Sequence, residues 1–152
     1  AFAAEFGGVT SDEVLADPLS ESVSIRYPTF SQPELAGALV DTHFTRRSRE
    51  GRLLTFLARF VAERQYSEVL GIGIDERTAL IIEDGRYRVY GEGAVWFYRV
   101  RGPVTLGAGV PLDLDDVAVA PALDGTMGAW PVDLDSLNPD SIRVESGVVT
   151  RD

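Results

Sequence analysis

Residues 35–40 (LAGALV) run into Asp41-Thr42-His43-Phe44-Thr45-Arg46-Arg47-Ser48-Arg49-Glu50-Gly51-Arg52, and residues 53–64 (LLTFLARFVAER) follow without a break. The first run is short and apolar, as a buried strand is. In the last, Leu53, Leu54, Leu57, Phe60 and Val61 recur at the spacing of one helical face, and Ser48 stands where a cap for a helix through Arg64 belongs. Strand, charged turn and helix therefore follow in close order. Alternation along the strand predicts that Asp41 and His43 leave its end on the same face.

The turn concentrates the chain's reactive chemistry. His43 is the only histidine, and four of the fourteen basic residues fall within positions 46–52. Arg49 and Arg52 are three apart and neighbours on the predicted helix, while Arg46 and Arg47 precede its N-terminus. Cations there oppose the helix dipole by roughly 0.3–1 kcal/mol per charge, so an anion bound among them relieves a local cost. A titratable ring beside concentrated positive charge suits chemistry on an anionic substrate.

Working outward, residues 69–76 (VLGIGIDE) and 78–83 (TALIIE) predict two strands joined by a tight acidic connection. Asp84-Gly85 predicts a turn before a strand at residues 86–90, and the β-rich pattern continues to Val100. Gly71 and Gly73 do not open a phosphate loop: the third glycine position of G-x-G-x-x-G is Glu76, and no helical pattern follows. Beyond Gly102, short apolar runs at 104–106, 117–120, 132–134 and 142–149 alternate with turns. The acidic stretches at 111–116 (PLDLDD) and 132–136 (VDLDS) lack the Gly and Glu positions of a calcium loop and read as solvated strand edges.

Upstream, residues 1–6 (AFAAEF) read as a short helix stopped by Gly7-Gly8, with no capping residue in front. Residues 9–33 are polar and turn-rich and predict a long surface segment with one strand candidate, residues 23–25. Its carboxylates, Asp12, Glu13, Asp17 and Glu21, are candidates for orienting a catalytic histidine.

Composition narrows the function classes. At 152 residues, with 45% hydrophobic and 25% charged residues, the chain is sized for one globular domain, 1–152. A net charge of −10 with one basic cluster disfavours nucleic acid as a partner. No apolar run approaches a membrane span, and no membrane partner is expected. With no cysteine there is no thiolate ligand or nucleophile, and neither a metal nor another cofactor is indicated. All fourteen cations are arginine, whose planar fork binds carboxylates bidentately.

Asp41-Thr42-His43-Phe44 followed by Arg47-Ser48-Arg49-x-x-Arg52-Leu53 resembles the D-x-H-F-x-x-R-x-R-x-x-R-L motif of the cyanophycinase branch of the S51 serine peptidases. Gly71-Ile72-Gly73-Ile74-Asp75-Glu76-Arg77-Thr78-Ala79-Leu80 is similar to the same family's G-x-G-I-D-E-x-T-A-L segment. The resemblance is firm over residues 39–80 and weak beyond. It implies an α/β fold, a three-layer sandwich of the S51/class I glutamine amidotransferase-like type, of which this chain is the β-rich C-terminal portion. It implies a serine nucleophile on a strand-to-helix elbow, His43 as general base, and an often dimeric enzyme. Asp41, Thr42, Arg47, Arg49 and Arg52 fall at the substrate pocket, which in this family serves cyanophycin-type aspartyl-linked peptides.

One departure shapes the functional expectation. The G-x-S-A-G-A elbow is absent: Ser11, Ser20, Ser22, Ser24 and Ser31 have no flanking glycines. By family spacing the elbow falls just before Ala1, and residues 1–6 become its helix. The expectation is thus a serine-type peptidase whose serine comes from a preceding companion polypeptide, with this chain alone inactive and the complete enzyme a homodimer. Asp12 and Asp17 are the candidates for the triad's acid. The alternative is a noncatalytic domain of the same descent that captures acidic peptides through its arginines.

Overall fold

The computed structural model describes residues 3–6, 9–26, 32–64 and 69–151. In chain order the elements are β1 (Ala3–Phe6), α1 (Ser11–Ala16), β2 (Val23–Arg26), β3 (Ala38–Thr42), α2 (Glu50–Arg64), β4 (Leu70–Ile74), β5 (Thr78–Glu83), β6 (Arg86–Gly91), β7 (Val95–Arg101), β8 (Leu114–Ala122), β9 (Met127–Ala129), β10 (Asp140–Glu145) and β11 (Val148–Arg151). Short 3-10 turns occupy Pro33–Leu35 and Leu134–Leu137.

The predicted strand and helix form, and together with β4 they make a β-α-β unit: α2 crosses between β3 and β4, which pair in parallel from Ala38↔Leu70 to Thr42↔Ile74. That register ends the two strands level, so the residues just past each are neighbours. The unit sits at one end of a six-stranded sheet ordered β11-β10-β8-β7-β4-β3, in which every other pairing is antiparallel. The fold is mixed α/β and strand-rich.

Strand alternation divides the core between the two faces of this sheet. Tyr98 and Val100 of β7 and Val117 and Val119 of β8 meet Leu53, Leu54, Phe56, Leu57 and Phe60 of α2 on one side. Each fully buried side chain of that helical face contributes roughly 1.5–3 kcal/mol. Phe97 of β7 and Ala118, Ala120 and Ala122 of β8 face the other side, against Tyr87 and Val89 of β6. The second side is covered by a three-stranded sheet, β5-β6-β9. Asp84 and Gly85, both at positive φ, make the predicted hairpin turn between β5 and β6. The strands β4 and β5 belong to different sheets, so the acidic connection between them is a crossover point rather than a hairpin.

Glycines at the helix interface allow close approach. A Cβ on Gly71 would lie 2.7 Å from Leu57 Cδ1, and one on Gly51 would lie 2.5 Å from Leu15 Cδ1. Gly71 therefore serves the packing of α2 on β4, and Gly51 seats α1 on the first turn of α2.

Several expectations are corrected. Residues 3–6 are a strand paired antiparallel with Val23–Arg26, not a helix. An uncapped stretch this short carries the full cost of helix nucleation, whereas pairing with β2 satisfies its backbone. The surface segment at 9–33 contains α1, which Thr10 caps in a box with Glu13. Ser48 does not cap α2: it sits at φ 49°, and Ser11 of α1 fills the role, donating to Ser48 O and accepting from Arg52 N at 3.2 Å. Of the apolar runs beyond Gly102, residues 104–106 form no regular element. At 132–134, Leu134 starts a 3-10 turn instead of lying in a strand. No helix among the described residues is long and apolar enough to cross a membrane.

Candidate active site

The site lies at the level ends of β3 and β4. Thr42 is the last residue of β3, and at His43 the backbone turns to φ 53°, which ends the strand's alternation. Asp41 keeps the strand's helix-facing direction, while His43 turns toward the residues that follow β4. The predicted shared face is therefore lost. A non-glycine residue at positive φ is costly unless its surroundings fix it. Here they do. Phe44 N donates to Ile74 O, Arg47 N to His43 O and Arg49 N to Phe44 O, each at 3.1 Å. The Phe44 ring is buried over Gly73, where a Cβ would lie 2.5 Å from it.

The two acids after β4 hold this turn from the other side. Asp75 accepts from Thr45 N at 2.9 Å, from Thr45 Oγ1, from Ala94 N at 3.1 Å and from Trp96 Nε1 at 3.2 Å. Burial alone would raise the Asp75 carboxyl, but the Thr45, Ala94 and Trp96 hydrogen bonds outweigh it and hold the group below its ordinary range. Glu76 Oε1 lies 2.9 Å from His43 Nδ1, and Arg46 Nη1 donates to Glu76 Oε2 at 2.5 Å. The Arg46 hydrogen bond lowers the Glu76 carboxyl pKa against the desolvation that would raise it, and the His43 hydrogen bond adds to the lowering. An ionised carboxylate only accepts, so Nδ1 carries a proton, and in the neutral ring Nε2 then keeps its lone pair. A histidine held in this way accepts a proton at Nε2, the arrangement of a general base with its orienting acid. Its side chain is 48% exposed.

The arginines divide into two groups. Arg49 Nη1 donates to Asp41 Oδ1 at 2.8 Å and to Thr42 O at 2.6 Å. Arg52 grips both Asp41 oxygens, with Nε to Oδ2 at 3.0 Å and Nη2 to Oδ1 at 2.6 Å. Asp41 is thus the internal anion that offsets these cations at the helix start. Arg47 is exposed, and among the described residues its guanidinium has no hydrogen bond or ion pair. Arg47, Arg49 and Arg52 line a cavity of about 440 Å³ together with Val9, Thr10, Ser11, Asp12 and Ser48. Thr42 contributes its carbonyl to Arg49.

Of the carboxylates read as candidate acids, Asp12 lines this cavity, and Asp17 accepts from Leu19 N and Gly109 N as a loop latch. Neither is hydrogen-bonded to His43. Sequence reasoning missed Glu76, whose signal was its position: two parallel strands that end level bring D-E next to D-x-H, and ligand sites form at such carboxyl ends. Among the described residues no serine hydroxyl is hydrogen-bonded to His43. The C-terminal acidic stretches are tied up locally: Asp113 accepts from Ser146 N, Asp116 from Ser141, and Asp135 from Arg101.

No family model matches the chain. It is similar to cyanophycinases of Trichormus variabilis and Nostoc sp., each 43% identical over 58 residues, covering 38% of this chain and 17% of the relative. The chain thus spans less than a fifth of the length of these curated relatives in the aligned stretch. The similarity indicates a cyanophycinase-like relationship over that part of the chain.

Proposed function

We propose that this chain supplies the base, its orienting acid and the anion-binding arginines of a serine-type peptidase active on aspartyl-linked peptides, cyanophycin or similar. The carrying observation is the 2.9 Å contact between His43 Nδ1 and Glu76 Oε1, which leaves Nε2 to take a proton from a nucleophile. Glu76 replaces Asp12 and Asp17 as the acid in this reading. The nucleophilic serine is contributed by a companion polypeptide with the elbow, within an S51-type α/β sandwich that the companion completes. In the complete protein, the serine hydroxyl gives its proton to Nε2 as it attacks the scissile carbonyl, and the imidazolium returns it to the leaving amine. The imidazolium faces Glu76 throughout. Arg47, backed by Arg49 and Arg52, receives a free carboxylate of the substrate.

His43→Ala in the complete protein is expected to reduce hydrolysis of aspartyl-linked peptides by about 10²–10⁴-fold. Unchanged turnover would remove His43 from the mechanism. The second reading, a noncatalytic domain that captures acidic peptides, is favoured by the exposed Arg47, whose guanidinium has no partner among the described residues, where no serine hydroxyl bonds to His43 either. An organophosphate that reacts with activated serines separates the two. A label on a companion chain that is lost in His43→Ala supports catalysis, and an unlabelled complete protein that still binds acidic peptides supports capture alone.

A further inference from the structure

His43 and Arg46 stand three residues apart in the turn after β3, and both reach the same side chain. Glu76 Oε1 lies 2.9 Å from His43 Nδ1, and Glu76 Oε2 accepts from Arg46 Nη1 at 2.5 Å. One carboxylate is thus spanned by a ring on one oxygen and a guanidinium on the other. The turn that carries both groups is itself fixed: Arg47 N donates to His43 O, Ser48 N donates to Thr45 O, and Asp75 accepts from Thr45 N between them. Opposite it, the Glu76 backbone carbonyl accepts from Thr78 Oγ1 at 3.2 Å.

The Glu76 carboxylate has little else to hold it. It follows β4 in the connection to β5, and among the described residues its two oxygens are bonded by His43 and Arg46 alone. The terminal torsion of a glutamate is soft, so a carboxylate bonded at Oε1 only would swing and exchange its partner for water. A charged donor on Oε2 fixes the plane of the group. The same donor keeps Glu76 ionised: the Arg46 hydrogen bond is the largest influence on the carboxyl, which is held below its ordinary range. Ionisation matters to the ring. A protonated Glu76 could donate to Nδ1, which would put the ring proton on Nε2 and remove the lone pair that a base needs. Arg46 also stands apart from the other arginines of the turn. Arg49 and Arg52 are held by Asp41 and line the anion cavity with Arg47, whereas Arg46 is not part of that lining. It falls at an unspecified position of the D-x-H-F-x-x-R-x-R-x-x-R-L pattern, so the resemblance assigns it no role.

We infer that Arg46 is a positioning residue: it holds Glu76 so that the carboxylate keeps the His43 proton on Nδ1 and leaves the lone pair on Nε2. The inference rests on the reading of His43 and Glu76 as base and orienting acid, and it adds the side chain that orients the acid.

His43 is the only histidine of the chain, so long-range proton–nitrogen NMR reads its tautomer without ambiguity of assignment. A ring released from its Nδ1 acceptor moves toward the Nε2–H tautomer that a free histidine favours in water. With the ring neutral, the parent chain is expected to show Nδ1–H, and Arg46→Ala to shift to predominant Nε2–H. Arg46→Lys, which restores one charged donor, is expected to recover Nδ1–H. Arg46 is 75% exposed, so neither substitution disturbs the core. Nδ1–H in all three forms would overturn the role of Arg46 and leave the His43–Glu76 pair standing. Nε2–H in the parent chain would overturn that pair and the role of Arg46 with it. Nε2–H in both variants would also overturn the inference, because the tautomer would not follow the charge at position 46. In the complete protein, Arg46→Ala is expected to lower kcat on an aspartyl-linked peptide with KM unchanged; a raised KM with kcat retained would make Arg46 a substrate contact instead.

Discussion

Asp41 is a sequence-predicted site residue to which the structure gives a mechanical task, and Asp41→Asn isolates it. Its carboxylate accepts four hydrogen bonds from Arg49 and Arg52. The side chains involved are 11%, 17% and 10% exposed for Asp41, Arg49 and Arg52. Asparagine keeps the shape, but its amide presents hydrogens to a guanidinium and leaves two cations with no anion between them. Removing one partner from a buried ion pair costs about 3–5 kcal/mol, and the residual exposure here places the change near the lower end, about 3 kcal/mol. For a domain of this size that lowers Tm by about 6–12 °C. Urea unfolding followed by tryptophan emission is expected to show an earlier midpoint with the same slope. A loss below about 0.5 kcal/mol, the level of an exposed pair, would refute the view that Asp41 pins the two arginines.

Other perturbations address the turn and its supports. Gly73→Ala forces a methyl into the Phe44 ring and is expected to cost about 1–3 kcal/mol in urea unfolding, with loss of whatever activity the complete protein shows. Asp75 has its folded pKa held below the ordinary carboxylate value, so it contributes stability that is full above that value and lost as pH falls through the folded one. Asp75→Asn should therefore flatten the acid limb of the stability profile between about pH 5 and pH 2. Tyr98 has its pKa raised, mainly by burial and next by Glu50. The stability from that shift is full below the ordinary tyrosine pKa and lost as pH rises above it. Tyr98→Phe should reduce the alkaline loss, and absorbance near 295 nm of the folded protein should show the same number of tyrosines titrating normally, because Tyr98 is not among them.

The helix α2 and its apolar face were legible because Leu53, Leu57 and Phe60 repeat at helical spacing and tertiary packing rewards that spacing. The hairpin at Asp84-Gly85 was legible for an equally local reason. The strand at 3–6 was not, since its pairing with β2 is a long-range choice that composition does not encode. The same limit explains Ser48: the cap on α2 comes from Ser11, 37 residues earlier in the chain. At the site, the types and order of the residues announced anion chemistry around His43. Pairing depends on three-dimensional register, so the sequence did not show Glu76 beside His43 and presented Arg49 and Arg52 as free cations although Asp41 holds them. Glu76 becomes visible once β3 and β4 are seen to end level.

The turnover of Glu76→Gln, His43→Ala and the double variant on an aspartyl-linked peptide, in the complete protein, tests the His43–Glu76 pair most directly. Both single losses in kcat/KM are expected within about 10²–10⁴-fold, with the double variant no worse than His43→Ala because the two residues act as a unit. Wild-type turnover in Glu76→Gln, or losses that multiply in the double variant, would contradict a shared catalytic role.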